Sequence, residues 1–250
     1  MTGRRIGAIE PLLLAAARIT TYEQDRVLTG ASGFFFEREG RLFVVTSRHV
    51  LHDEPSGHFP DRMELELHTD SADLGRSVAF SMLLYRDGRS VWRDAGDDGG
   101  AIDVAAVELD RAALPRAMAF AAFTPAHLQS SLEDVEVGSP LLIPGFPLGF
   151  HDALHHLPVV RQAAIASSFG LRFQGQGYFL TDARTHRGTS GAPVVMRDPA
   201  PNAALKALPW KLLGVHSARM DMASRDLVQD EALGLNCAWY ADVLMALTKR

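Results

Sequence analysis

The sequence predicts an all-β chain, folded as a barrel or a sandwich, and three observations carry that reading. Short runs rich in Val, Phe, Leu and Ile recur along most of the chain. Gly- and Pro-marked turns separate them at short, fairly regular spacing. Only one segment, Ala238 to Thr248, shows helical spacing, with Trp239, Val243, Leu244 and Leu247 on one side.

In chain order, Ala31 to Phe36 and Leu42 to Thr46 read as paired strands around the turn signal Glu39-Gly40. Met63 to His68 alternates apolar and polar residues, as a half-buried strand does. Ser77 to Tyr85 is a further apolar run, closed by Arg86-Asp87-Gly88. Gly96 to Gly100 reads as a loop, and Asp103 to Leu109 as the strand behind it. The polar stretch Pro125 to Glu136 reads as a connector between two halves. The second half then offers Ser139 to Gly145, Val159 to Ser167, Tyr178 to Asp182, Ala192 to Met196 and Leu212 to Ser217. Pro199 to Pro209, rich in Ala and Pro, reads as a surface loop.

Composition narrows the functional classes. With 47% hydrophobic and 22% charged residues, the 250-residue chain has the make-up of a globular protein. Lys+Arg 25 against Asp+Glu 30 leaves a formal net charge of −5, so no basic excess favours nucleic acid. The single cysteine, Cys237, excludes an internal disulfide and a multi-Cys zinc site, and suits a cytoplasmic location. Near the N-terminus, Arg4 and Arg5 precede an apolar stretch in the manner of a secretory leader, but Glu10 and Pro11 interrupt it. No run reaches the ~18 apolar residues of a membrane span, and no membrane partner is expected. His151, His155 and His156 lack the companions of a metal site, and Asp94, Asp97 and Asp98 lack calcium-loop spacing; both groups read as surface loops, and no metal or cofactor is expected. The run Phe34-Phe-Phe36 reads as barrel core and wall.

Three local patterns carry chemistry, in a fixed order. Thr46-Ser-Arg-His49-Val places a histidine at the end of an apolar strand. Asp103-Val-Ala-Ala-Val-Glu-Leu opens a strand with an aspartate. Gly188-Thr-Ser190-Gly-Ala-Pro-Val sets a serine in a Gly-bounded turn. Each alone has an ordinary structural reading. Together, in the order His, Asp, Ser, they resemble the chymotrypsin/trypsin-like serine peptidases; the other common triad folds run in different orders. Leu141 to Pro147 and Leu213 to Ser217 extend the likeness over most of residues 27–247.

That resemblance implies two antiparallel barrels of the six-stranded type with a short C-terminal helix. The first, residues 1–124, would carry His49 and Asp103. After a connector, 125–137, the second, 138–250, would carry Ser190. It implies a serine endopeptidase with no cofactor. His49 would act as base, Asp103 as its orienting partner and Ser190 as nucleophile, with the N–H groups of Gly188 and Ser190 as oxyanion donors. Its partner would be a protein or peptide substrate, and such bacterial relatives often serve one dedicated partner protein. A catalytically idle binding module and an esterase or acyltransferase stay open as alternatives. Thr189 stands where zymogen-type relatives carry the aspartate that pairs with a freed N-terminus, so activation by that route is not expected.

Substrate choice is less marked. Trypsin-type selectivity uses an acidic residue six positions before the serine, and this chain has Arg184 there. Thr185 and His216 resemble the glutamyl endopeptidases of the same superfamily, in which a hydroxyl and an imidazole at these places bind a substrate carboxylate. With Ser217 and Arg219 on the adjoining strand, they form the expected substrate pocket. An acidic residue before the scissile bond and a small or apolar one both remain open, while a basic one is disfavoured.

Overall fold

A computed structural model describes residues 9–219 and 234–250, the side chains of Ala204, Ala218 and Arg219 excepted. The chain is mostly strand. After a short helix α1 (Pro11–Ala15), the first sheet is built from β1 (Ala16–Glu23), β2 (Arg26–Arg38), β3 (Arg41–Thr46), β4 (Arg62–His68), β5 (Ser77–Leu83), β8 (Trp92–Asp97) and β9 (Gly100–Leu109). Its order is β5-β4-β1-β2-β3-β9-β8, all antiparallel. A one-turn helix α2 (Arg48–Leu51) follows β3, and β6 (Tyr85–Arg86) with β7 (Arg89–Ser90) makes a small hairpin. The two ends of the sheet approach through that hairpin, where Val91 N–H donates to Leu84 O (3.0 Å) and Leu84 N–H to Asp61 O (2.8 Å).

The second sheet has six strands: β10 (Pro140–Gly145), β11 (Val159–Ala164), β12 (Tyr178–Thr181), β13 (Pro193–Arg197), β14 (Trp210–Arg219) and β15 (Asn236–Tyr240), in the order β11-β10-β13-β14-β15-β12. A bridge between Ile165 and Thr181 brings its two edges together. This is the chymotrypsin-like two-barrel architecture, with seven strands rather than six in the first sheet.

The apolar runs are continuous rather than alternating because both faces of the central strands are buried. Along β2, Phe35 points into the first barrel with Ile19, Val44 and Leu65, while Phe34 and Phe36 point outward. The outward set meets Val195, Leu212, Val215 and Trp239 from the second barrel, forming a third core between the two. Val194, Leu213 and Ala238 face the other way, into the second barrel. Period-two geometry thus divides each run between two cores. Phe34 and Phe123 anchor the interface edge to face, 5.7 Å apart.

Three regions depart from the sequence reading. Gly96 to Gly100, expected as a loop, is a tight turn whose ends belong to β8 and β9, with Asp97 paired to Gly100. Ala238 to Tyr240 belongs to β15, and only Leu244–Leu247 forms an α-helix, α3, after a 3-10 turn at Ala241–Val243. The register of Ala238 against both His216 and Phe179 decides in favour of strand. The helix-like spacing survives because Trp239, Leu244 and Leu247 all face the inter-barrel core. Arginines of the first barrel hold this end: Arg38 donates to Met245 O (2.7 Å) and Arg41 to Thr248 O (3.3 Å), supplying partners for carbonyls the short helix leaves open. The last departure is the leader-like apolar stretch, which folds as α1 and the start of β1; Leu12 and Ala15 are buried in the inter-barrel core, and Ala17 and Ile19 in the core of the first barrel.

Candidate active site

His49 sits in α2, one short turn beyond the end of β3. Asp103 lies inside β9, three residues after its start at Gly100. The carboxylate grips the histidine twice. Asp103 Oδ1 accepts the His49 backbone N–H at 2.8 Å, and Oδ2 lies 2.7 Å from Nδ1 of the ring. The Ser217 hydroxyl donates to the same Oδ2. Burial works against protonating His49, but the hydrogen bond and charge of Asp103, with the more distant charge of Asp53, outweigh it and raise the imidazole above its ordinary value. With Nδ1 engaged, Nε2 is the nitrogen left for proton exchange.

Ser190 lies on the turn leading into β13, and the direction of every peptide plane around it is fixed. Arg187 O accepts from Leu148 N–H (2.6 Å), and Gly188 O from the Ser32 hydroxyl (2.7 Å). Thr189 O accepts from Ala192 N–H (3.0 Å), and Ser190 O from Ser32 N–H (3.0 Å). In a trans peptide the N–H points opposite to the carbonyl. Anchoring Arg187 O and Thr189 O therefore turns the N–H groups of Gly188 and Ser190 away from those contacts, and neither donates to an acceptor among the described residues. The N–H groups between and beyond them are engaged, Thr189 with His186 O (3.2 Å) and Gly191 with His216 O (2.7 Å).

The two glycines are sterically required. Gly188 has φ +91°, and a Cβ there would lie 2.5 Å from Phe146 O. Gly191 has φ +86°, and its Cβ would lie 2.2 Å from both Ser32 O and Thr46 Oγ1. Ser190 Oγ donates to Ser217 O at 3.2 Å and makes no hydrogen bond to His49 among the described residues. Such contacts are often long or misaligned without substrate.

The expected pocket residues fall into different settings. Arg184 is exposed. Thr185 is buried and donates to Asn236 Oδ1 at 2.6 Å, while Asn236 itself donates to Ala183 O. His216 is 2% exposed, and burial, reinforced by the charge of His49, pushes its ring down to about 4. Its Nδ1 is buried with no hydrogen-bond partner among the described residues. Ser217 is tied to Asp103 through its hydroxyl and to Ser190 through its carbonyl. The Arg219 side chain lies outside the described part. Sequence reasoning missed Ser32, Ser47 and Asn236, three buried polar residues that hold these loops. A small polar run, Thr29-Gly-Ala-Ser-Gly33, set directly before three phenylalanines was the one available hint.

Among the described residues no cluster could hold a metal ion, and no helix is long and apolar enough to cross a membrane. Fold and site define a trypsin-like serine protease domain. Residues 31–199 match the sequence model of the trypsin-like peptidase domain, and the chain belongs to that family. Solved structures with the same fold include the HtrA-type protease AlgW with tripeptide, at 16% identity and a TM-score of 0.54 over 94% of this chain and 58% of that one. A serine endoprotease from Yersinia pestis matches at 14% identity and a TM-score of 0.54, over 94% of this chain and 62% of its own. The chain thus spans about three-fifths of the length of these structural relatives. No curated protein matches it by sequence.

Proposed function

We propose that the chain is a serine endopeptidase in which Ser190 attacks the peptide carbonyl and forms an acyl-enzyme. The observation that carries this reading is the paired grip of Asp103 on His49, set in one fold with a serine turn that leaves two N–H groups without acceptors. The chemistry follows in order. His49 Nε2 takes the Ser190 proton as Oγ bonds to the carbonyl carbon. The oxyanion is met by the N–H groups of Gly188 and Ser190, each worth on the order of 10²–10³ in rate. His49 then hands its proton to the leaving amine, and water, activated by the same imidazole, releases the acyl group. Asp103 keeps the ring in the tautomer that presents Nε2 and stabilises the imidazolium.

Before attack, the Ser190 hydroxyl has to leave Ser217 O and turn to His49. The test is covalent. A fluorophosphonate probe should label wild type at Ser190, as mapped by mass spectrometry, and leave Ser190→Ala unlabelled. Labelling elsewhere, or none in either protein, would refute the assignment.

For substrates, we propose proteins or peptides with an acidic residue before the scissile bond. Exposed Arg184 beside the turn supplies positive potential and disfavours Lys and Arg. Thr185 and His216 supply hydrogen-bonding atoms. Because burial keeps His216 neutral, it would meet a carboxylate as an N–H donor rather than as a cation. A peptide panel varied only at that residue should show cleavage after Glu or Asp that weakens in His216→Ala and Thr185→Val. Efficient cleavage after Lys or Arg, or an acidic preference untouched by both substitutions, would overturn it.

A further inference from the structure

We infer that Ser32, on β2 of the first barrel, is a positioning residue for the oxyanion donors of the second; the inference rests on the serine mechanism proposed above. Ser32 is fully buried, and all of its hydrogen-bonding groups are used at this junction. Its hydroxyl donates to Gly188 O at 2.7 Å and accepts from Phe146 N–H at 2.9 Å. Its backbone N–H donates to Ser190 O at 3.0 Å, and its carbonyl accepts from the Thr46 hydroxyl at 2.8 Å.

The reason lies in the glycine. Gly188 has to be glycine for steric reasons, yet glycine leaves the peptide on its C-terminal side free to swing. That peptide, Gly188–Thr189, is the link between the two N–H donors, so its orientation sets their convergence. Its N–H has one local partner, His186 O, at a long 3.2 Å. The shorter bond, from Ser32 Oγ, comes from the opposite barrel, 156 residues away in sequence. Ser32 Oγ is itself held by Phe146 N–H, and Gly145 leaves just enough room for it: a Cβ at that glycine would lie 2.8 Å from the oxygen. Removing the hydroxyl leaves the half-buried Gly188 carbonyl and the buried Phe146 amide without their Ser32 partner at the same point. The predicted result is a loosened pair of donors with the His49–Asp103 contact intact. A misplacement of about 1 Å is enough to cost on the order of 10² in rate.

The test compares fluorophosphonate labelling rates of wild type, Ser32→Ala and Ser32→Thr. Rates are taken per folded molecule, with folding followed by thermal melting and the pH midpoint of labelling measured for each. Ser32→Ala should label roughly 10- to 100-fold more slowly with an unchanged pH midpoint, and Ser32→Thr, which keeps the hydroxyl, should come within about threefold of wild type. A purely structural role would lower the melting temperature of Ser32→Ala and leave its rate per folded molecule alone. That result overturns the inference, as does a pH midpoint that moves, which would place the effect at His49. Should Ser32→Ala not fold, Ser32→Cys takes its place; its weak donor should give a slowed rate, and a wild-type rate overturns the inference. A wild type no faster than Ser190→Ala would instead refute the serine mechanism, a different and separable failure.

Discussion

The two halves of the candidate site are held by different physics. On the first barrel, His49 is fixed by one charged group, Asp103, which accepts from its backbone N–H and meets its ring, and which is itself held by the Ser217 hydroxyl of the second barrel. On the second barrel, Ser190 is fixed by neutral backbone bonds spread over Leu148, Ala192, His216 and Ser32, with glycines where any side chain would collide. The first arrangement concentrates its strength in a carboxylate, as charge-assisted hydrogen bonds do. The second distributes it over many weaker bonds, and several of them cross between barrels. The difference teaches where each half should fail: the first by losing a charge, the second by losing fit.

The largest expected effect comes from the charge. Asp103→Asn should lower peptide turnover by about 10⁴-fold while the melting temperature moves little, because an amide can present the wrong hydrogen-bonding partner to Nδ1. A drop of less than tenfold in steady-state kinetics would show that Asp103 is not orienting the base. Gly191→Ala should act through fit. The added methyl would sit 2.2 Å from Ser32 O and Thr46 Oγ1 at φ +86°, so the variant should lose activity and melt lower together. Equal activity and stability in Gly191→Ala would mean the turn is more forgiving than its contacts imply.

The two histidines give the comparison a pH axis. His49 has to be neutral to accept a proton, and Asp103 raises its ring above the ordinary ~6.5. Activity should therefore fall on acidification through a midpoint above ~6.5, and the remaining activity of Asp103→Asn should show a lower midpoint. His216 behaves oppositely. Folding holds it at about 4, below its unfolded value, so the unfolded chain binds the extra proton and stability is lost as pH falls from ~6.5 toward 4. The loss attributable to this one buried ring is roughly 2–3 kcal/mol. Denaturant melts at pH 7 and pH 4.5 should show a smaller pH effect in His216→Phe than in wild type; an equal one would mean that His216 is not the titrating group.

Much of the candidate site was legible because the residues proposed to react sit in short local strings. The segments around His49, Asp103 and Ser190 each carry their own strand or turn context, and their order along the chain is informative without any contact being known. What stayed hidden is long-range and small. Ser32 reaches Gly188 across 156 residues, and Thr185 reaches Asn236 across 51. Such bonds leave no periodicity, because a single buried hydroxyl in an apolar strand looks like noise in the pattern. Ser217 was expected as a pocket residue, but its hydroxyl is directed at Asp103; it lies at a register shift in the pairing of β14 with β15, which no local string announces. In the fold, β15 hid behind a spacing that a strand followed by a helix satisfies as well as one helix does, since both place Trp239 and Leu244 on the inter-barrel core.

The central claim is that this chain cleaves peptide bonds through Ser190. The direct measurement is a cleavage-site profile of a peptide library derived from a whole proteome, read by mass spectrometry after incubation with wild type or Ser190→Ala. The account predicts new termini with wild type alone, enriched in Glu or Asp before the cut. Identical profiles from the two proteins would contradict it.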